Sequence, residues 1–195
     1  MKFILGRKLG MSQIFDQIGN EIPVTLIEAG PCVITQIKTK DKDGYESIQI
    51  GFIKKDKKIK KTEKGKEFKN LKEFIGSGEY KIGDEVNVSV FQEGDEVKVS
   101  GISKGKGFAG AVKKEGVHGK NKTHGTKHEE RQTGSTGPSQ PSRVTKGVKM
   151  AGRMGHERAS VKNVKIIKID QENNIIAVKG AVPGPKGTLI EISNL

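Results

Sequence analysis

Ile22, Val24 and Leu26 alternate with polar partners, and the same period of two recurs at Ile48, Ile50 and Phe52, at Val86, Val88 and Val90, and at Val97 and Val99. Such alternation sets one face of a strand against a core and leaves the other in water. Towards the C-terminus Ile167 and Ile169, Ile176 and Val178, and Ile190 and Ile192 repeat it, divided by Asn173-Asn174 and by the turn Pro183-Gly184-Pro185. Asp43-Gly44 and Gly94-Asp95 mark two more hairpins. Aliphatic usage agrees, with 21 Ile and 15 Val against 6 Leu, because β-branched side chains suit a pleated surface better than a helix. The pattern predicts a mainly β fold. Many short strands with turn signals favour a small closed β-barrel, which leaves no free edge. Two short helices are expected, one over residues 108–114 and one near residues 68–75.

Several classes fall away. The single cysteine, Cys32, allows neither an internal disulfide nor a Cys-based zinc fold, and suits a reducing compartment. The opening MKFILGRKLGMSQ has only Phe3, Ile4 and Leu5 before Gly6 and Arg7, short of the ~7–15 apolar residues of a signal peptide. No uncharged apolar stretch approaches the ~18 residues of a membrane span. The sequence reads as soluble and cytoplasmic, with no membrane partner.

Charge and glycine then divide the chain. The 195 residues carry a net +13 and 26 glycines. Residues 104–158 hold thirteen cations, Lys104, Lys106, Lys113, Lys114, Lys120, Lys122, Lys127, Arg131, Arg143, Lys146, Lys149, Arg153 and Arg158, against four acids, a net +9. The same segment has all four histidines, eleven glycines, one aromatic residue (Phe108), and no Leu or Ile. Residues 53–73 add a net +6, so the remainder is slightly acidic. So few apolar side chains cannot offset the entropy of ordering about fifty residues. Residues 104–158 are therefore disordered alone or ordered by a partner, and their sign calls for a polyanion with closely spaced phosphates. With Phe108 as the only aromatic, stacking on splayed bases is disfavoured and structured RNA, met by shape and backbone, fits better.

Enzyme and metal chemistry find weaker footing. GKGFAG at residues 105–110 matches G-x-G-x-x-G, but a dinucleotide fold needs a second parallel strand ending in an acid about twenty residues on. That distance reaches Glu129-Glu130, where no strand-forming run exists. His118, His124 and His128 have spacings open to zinc, yet lack a fourth ligand and a scaffold; among Lys120, Lys122 and Lys127 they suit phosphates or bases. No catalytic triad, carboxylate pair or Walker loop stands out, and no cofactor or small-molecule substrate is implied. The glycine-rich run at residues 134–143 lets backbone amides approach phosphates, with Arg143 able to pair bidentately.

Five ordered motifs carry a resemblance. They are GRKLGMSQIF at residues 6–15, PVTLIEAGPCVITQIKT at 23–39, SGISKGKGFAGAVKK at 100–114, PSRVTKGVKMAGRMG at 141–155 and VKGAVPGPKG at 178–187. Through them the chain resembles, over nearly its full length, the family of bacterial large-subunit ribosomal protein three. The resemblance implies a barrel like the second domain of translation factors over residues 1–114 and 159–195, with short helical elements. It implies a long basic glycine-rich arm over residues 115–158 that threads into rRNA toward the peptidyl transferase centre, its tip near residues 134–143. It further implies an early role in subunit assembly, large-subunit proteins fourteen and nineteen as neighbours, and no enzymatic activity. The thirteen cations, with His118, His124, His128, His156 and Gln140, are the candidate RNA-binding set. Some relatives carry a methylated glutamine near the tip; Gln140 is the local candidate, although the spacing between Gly137 and Pro141 is shortened. The region 54–81 is also short beside many relatives. The other reading is a free-standing RNA-binding or RNA-chaperone protein.

Overall fold

A computed structural model describes residues 2–55, 62, 65–76, 80–140 and 142–194. It divides into two units, Met1–Ser103 with Arg158–Leu195, and Lys104–Glu157. The strands in chain order are β1 (Phe3–Phe15), β2 (Glu21–Ala29), β3 (Cys32–Lys38), β4 (Ser47–Lys54), β5 (Phe68–Ile75), β6 (Glu85–Val86), β7 (Glu96–Ile102), β8 (Phe108–Ala109), β9 (Gly152–Arg153), β10 (Arg158–Asp170), β11 (Ile175–Lys179) and β12 (Leu189–Asn194). Helices α1 (Lys40–Asp43) and α2 (Ala111–Glu115) are about one turn each. The mainly β expectation holds.

In the first unit six strands pair antiparallel in the order β1-β12-β7-β10-β11-β2, and β2 pairs back onto β1, closing a barrel. Directly paired residues share a face. Ile4 pairs with Ile192 and Ile192 with Val99, while Ile166 pairs with Val178 and Ile176 with Ile27; all are buried and line the inner face. Gly6 sits where β1 meets both neighbours, opposite Ile190 and Ala29. A Cβ there would fall 2.6 Å from Ile27 Cγ2 and 2.8 Å from the Glu28 carbonyl oxygen, so closure at this point requires glycine. Lys8 continues the strand, and its buried ammonium donates to the carbonyls of Val182 and Gly184 at 3.0 Å each, fixing the Pro183-Gly184-Pro185 turn.

The outer face of β1 is buried as well. Phe3 stacks on Phe74 with ring centroids 5.0 Å apart and tilts against Tyr80 at 5.5 Å, and the Cys32 thiol donates to the Leu5 carbonyl at 3.4 Å. These contacts seat a four-stranded sheet, β5-β4-β3-β6, on the barrel. Its buried residues, among them Ile34, Ile48, Ile50, Phe52 and Phe74, join the barrel residues in one apolar cluster. Burial pushes the Cys32 thiol up to about 11, against the small opposing effect of its bond to Leu5.

Four expectations need correction. The strands around Ile48–Phe52 and Val86 belong to this second sheet and not to the barrel. Residues 68–75, expected as a helix, form β5: pairing with β4 from Ser47↔Ile75 to Lys54↔Phe68 outweighs the helical spacing of Phe68, Leu71 and Ile75. Only Glu85–Val86 of the Val86, Val88 and Val90 run is strand; Val88–Val90 is a 3-10 turn that drives Val88 and Phe91 into the core. Two frames also slip. The barrel-facing residues are Thr25, Ile27 and Ala29 on β2, where Ile22 and Leu26 are only half-buried while Val24 is buried as expected, and Val164 and Ile166 on β10, where Ile167 is half-buried while Ile169, paired with Ile176, packs against the core as expected. On β10, bulges between Val161 and Val164 and between Ile166 and Lys168 shift the alternation, because one extra residue exchanges a strand's faces; the bulge between Lys8 and Gly10 adds its residue to β1 and leaves β2 in regular register with β11. Of the basic run at residues 53–73, positions 56–61 and 63–64 lie outside the described residues.

Glu73 and Lys38 tie β5 to β3. Their ion pair is 2.7 Å, and Tyr45 and Ser47 hydroxyls donate to the second carboxylate oxygen at 2.9 and 3.3 Å. The Lys38 ammonium, followed by the Tyr45 hydroxyl, holds the Glu73 carboxyl below its ordinary range. That contribution to stability is present above the ordinary carboxylate value of about 4.3 and is lost as pH falls through the lowered folded-state value.

Replacing Phe3 with alanine empties the joint between barrel and sheet and is expected to cost about 3–5 kcal/mol in urea unfolding. Ile75→Ala, on the same sheet but 80% exposed, is expected to stay within about 0.5 kcal/mol.

Candidate nucleic-acid interface

The second unit, Lys104–Glu157, is built from backbone turns and carries little buried surface. Its strands β8 and β9 pair Phe108 with Arg153 and Ala109 with Gly152. The Lys106 amide donates to the Met154 carbonyl and the Met154 amide to the Gly107 carbonyl, both at 2.9 Å, which extends this pair into a stem. Helix α2 follows, with the Lys113 and Lys114 amides closing on the Gly110 carbonyl at 3.0 Å. The helix expected over residues 108–114 is therefore shortened: Phe108 and Ala109 are strand, and Gly110, extended at ψ 157°, separates them from α2. Among the described residues of this unit the only buried apolar side chains are Ala109 and Ala111.

Glycine is required at two close approaches. At Gly155, with φ +72°, a Cβ would lie 2.2 Å from the Lys104 carbonyl oxygen, and at Gly119 it would lie 1.9 Å from that of Glu130. The same Glu130 carbonyl accepts from the Lys120 amide at 3.0 Å, which brings residues 119–120 against residues 129–130. The 134–143 run is held by short-range bonds, Ser135 Oγ to the Gly137 carbonyl at 3.0 Å and Ser142 Oγ to the Ser139 carbonyl at 2.8 Å. Pro141 lies outside the described residues.

All eighteen candidate residues are exposed except Lys114, which is half-buried. Lys114 pairs with Glu115 at 3.1 Å, and Lys120 pairs with Glu129, whose carboxyl is held low by that ammonium. Arg158, counted with the arm in the sequence, is the first residue of β10 in the other unit. Its guanidinium pairs with Glu191, which also takes Lys72 at 3.1 Å. Lys104, Lys106, Lys113, Lys122, Lys127, Arg131, Arg143, Lys146, Lys149 and Arg153 form no ion pair among the described residues. Exposed cations without internal counterions are available to phosphates, and each phosphate neutralised releases condensed counterions.

Other chemistries are not assembled. GKGFAG is part of the stem, since Phe108-Ala109 pairs antiparallel with β9 and leads into a helix of five residues, not into the parallel strand and long helix of a dinucleotide site. His118, His124 and His128 are exposed, and the described residues contain no group of three His, Cys, Asp or Glu able to hold a metal. One cationic feature escaped the sequence reading. Arg7 of β1 and Lys69 of β5 line a recess of about 220 Å³ with Asn70 and Gly187; their 62-residue separation left no local signal.

A strand-built body and a glycine-rich unit dense in exposed cations are the frame of a structural protein with a surface suited to a polyanion. Residues 73–174 match the family model described as Ribosomal protein L3. The chain is 48% identical over 200 residues to large ribosomal subunit protein uL3 of Herpetosiphon aurantiacus, spanning 97% of this chain and 94% of that protein. It is 49% identical over 202 residues to that of Thermosipho africanus (98% and 97%). The match to that of Finegoldia magna is 46% over 202 residues (98% and 97%). The chain belongs to the ribosomal protein L3 family, whose members are structural proteins and not enzymes.

The ion-pair pattern separates two arginines. In filter binding to duplex RNA, Arg131→Ala is expected to make the slope of log K against log salt shallower by about 0.7–0.9. Arg158→Ala, which removes a cation already neutralised by Glu191, is expected to leave the slope unchanged.

Proposed function

We propose that the chain is a structural constituent of the large ribosomal subunit in the bacterial cytoplasm, and that residues 104–157 form its main rRNA-binding segment. The observation that carries this reading is the set of ten exposed cations without an ion pair among the described residues, on a backbone with almost no buried side chains. Such a segment neutralises packed phosphates and lets RNA helices approach one another. The first unit, a barrel of the kind found in translation-factor second domains, is the anchor. Family membership supports the finer parts of the proposal: an arm over residues 115–158 directed toward the peptidyl transferase centre, early entry into subunit assembly, and large-subunit proteins fourteen and nineteen as neighbours. Gln140, exposed in the 134–143 run, is the candidate for methylation.

Sedimentation through high-salt gradients tests the role. The full chain is expected to remain with large subunits, whereas a free-standing RNA-binding protein would be stripped off. With ~8 phosphate contacts, binding of the isolated chain to large-subunit rRNA is expected to fall with a log–log salt slope of roughly −6 to −7. A slope shallower than about −2 would overturn the electrostatic role.

A further inference from the structure

The distal half of the β1–β2 hairpin is a surface of opposite character. Beyond Lys8, β1 pairs only with β2, and before Pro23, whose carbonyl accepts from the Gly180 amide at 2.8 Å, β2 pairs only with β1, among the described residues. Gly10–Phe15 and Glu21–Pro23 thus form a two-stranded ribbon, closed by the Asp16 amide donating to the Asn20 carbonyl at 2.9 Å and the Gly19 amide to the Asp16 carbonyl at 2.8 Å. On one face Met11 and Phe15 lie diagonal to Pro23, and all three are exposed; Met11 is 55% and Phe15 64% accessible. Ile18 at the turn is 84% accessible. A lone two-stranded ribbon is marginal in water, and a contiguous exposed apolar patch marks an interaction site.

Charge selects the occupant. Residues 9–37 are the longest run in the chain without Lys or Arg, in a protein of net charge +13. Within the ribbon Asp16 and Glu21 are exposed and form no ion pair among the described residues. Phosphates at the tip would meet two carboxylates, while Lys179, paired with Val24, lies at the base of the ribbon, so RNA is disfavoured at the tip. A second copy would bring the same two carboxylates against themselves. We propose that the tip of the β1–β2 hairpin is a protein-docking surface, and that its partner is a basic protein presenting apolar side chains within a rim of Lys or Arg. Met11, Phe15 and Ile18 supply the apolar contact, while Asp16 and Glu21 set orientation and reject RNA. The proposal does not depend on the role assigned to residues 104–157.

The test places a benzophenone side chain at position 15 of the full-length chain and irradiates cells expressing it. The expected result is one ribonuclease-resistant adduct to a single protein, cross-linked within a peptide rich in Lys or Arg. Reversing both charges, Asp16→Lys with Glu21→Lys, is expected to reduce the adduct at least about tenfold. The same reversal is expected to leave the thermal unfolding midpoint unchanged, since both positions are exposed. An adduct to RNA, an adduct to a second copy, no adduct, or a yield indifferent to the charge reversal would each overturn the proposal. Sedimenting the adduct keeps the two readings apart: a basic-protein adduct found away from large subunits would support the docking surface and count against the ribosomal role.

Discussion

Strand β1 is buried on both faces, and the first unit depends on that constraint. Ile4 and Gly6 face into the closed ring, while Phe3 and Leu5 face the second sheet. A strand wet on one side could serve only one of these layers. Gly6 has no room for a side chain, and Phe3 fills the joint to Phe74, so each face accepts one kind of residue. The same strand then runs past the ring to form the exposed hairpin with β2. One segment thereby closes the barrel, seats the sheet and presents a surface poor in cations.

Residues 104–157 obey the opposite rule. Their buried apolar side chains among the described residues are Ala109 and Ala111, far too little to offset the ordering of some fifty residues. What they hold in quantity is positive charge, and most of it meets no carboxylate among the described residues. Apolar burial thus lies in the first unit, and on the proposed reading the second takes its order from a bound polyanion. The carboxylates of the first unit reinforce the division. Glu191 takes Arg158 and Lys72, and Glu73 takes Lys38, so cations there serve the fold.

Much of this was legible in the sequence where a signal is local and repeated. Alternating Ile and Val marked β7, β11 and β12, and the motifs marked the family. The charge count isolated the cationic segment because its residues are contiguous. Signals that depend on partners distant in the chain were misread. The β5 segment has helical spacing, but its state is set by pairing with β4 and by the space Gly51 leaves for the Phe68 ring, where a Cβ would lie 2.3 Å from Cγ. The inward frame of β10 shifts because bulges are invisible to a period-two pattern, and β2 buries apolar residues of both parities, Val24 and Ile27, which a single alternation does not capture. Arg158 looked like part of the arm until Glu191, 33 residues on, was seen beside it.

Burial holds the first unit, and charge neutralisation is proposed to order the second. Amide hydrogen exchange of the free chain and of the chain in assembled large subunits tests it most directly. In the free chain, Ile4, Val99, Ile166 and Ile192 are expected to exchange slowly and residues 104–157 near the unprotected rate; in the subunit both sets are expected to be slow. Protection of residues 104–157 in the free chain equal to that of the barrel ladder would contradict the account.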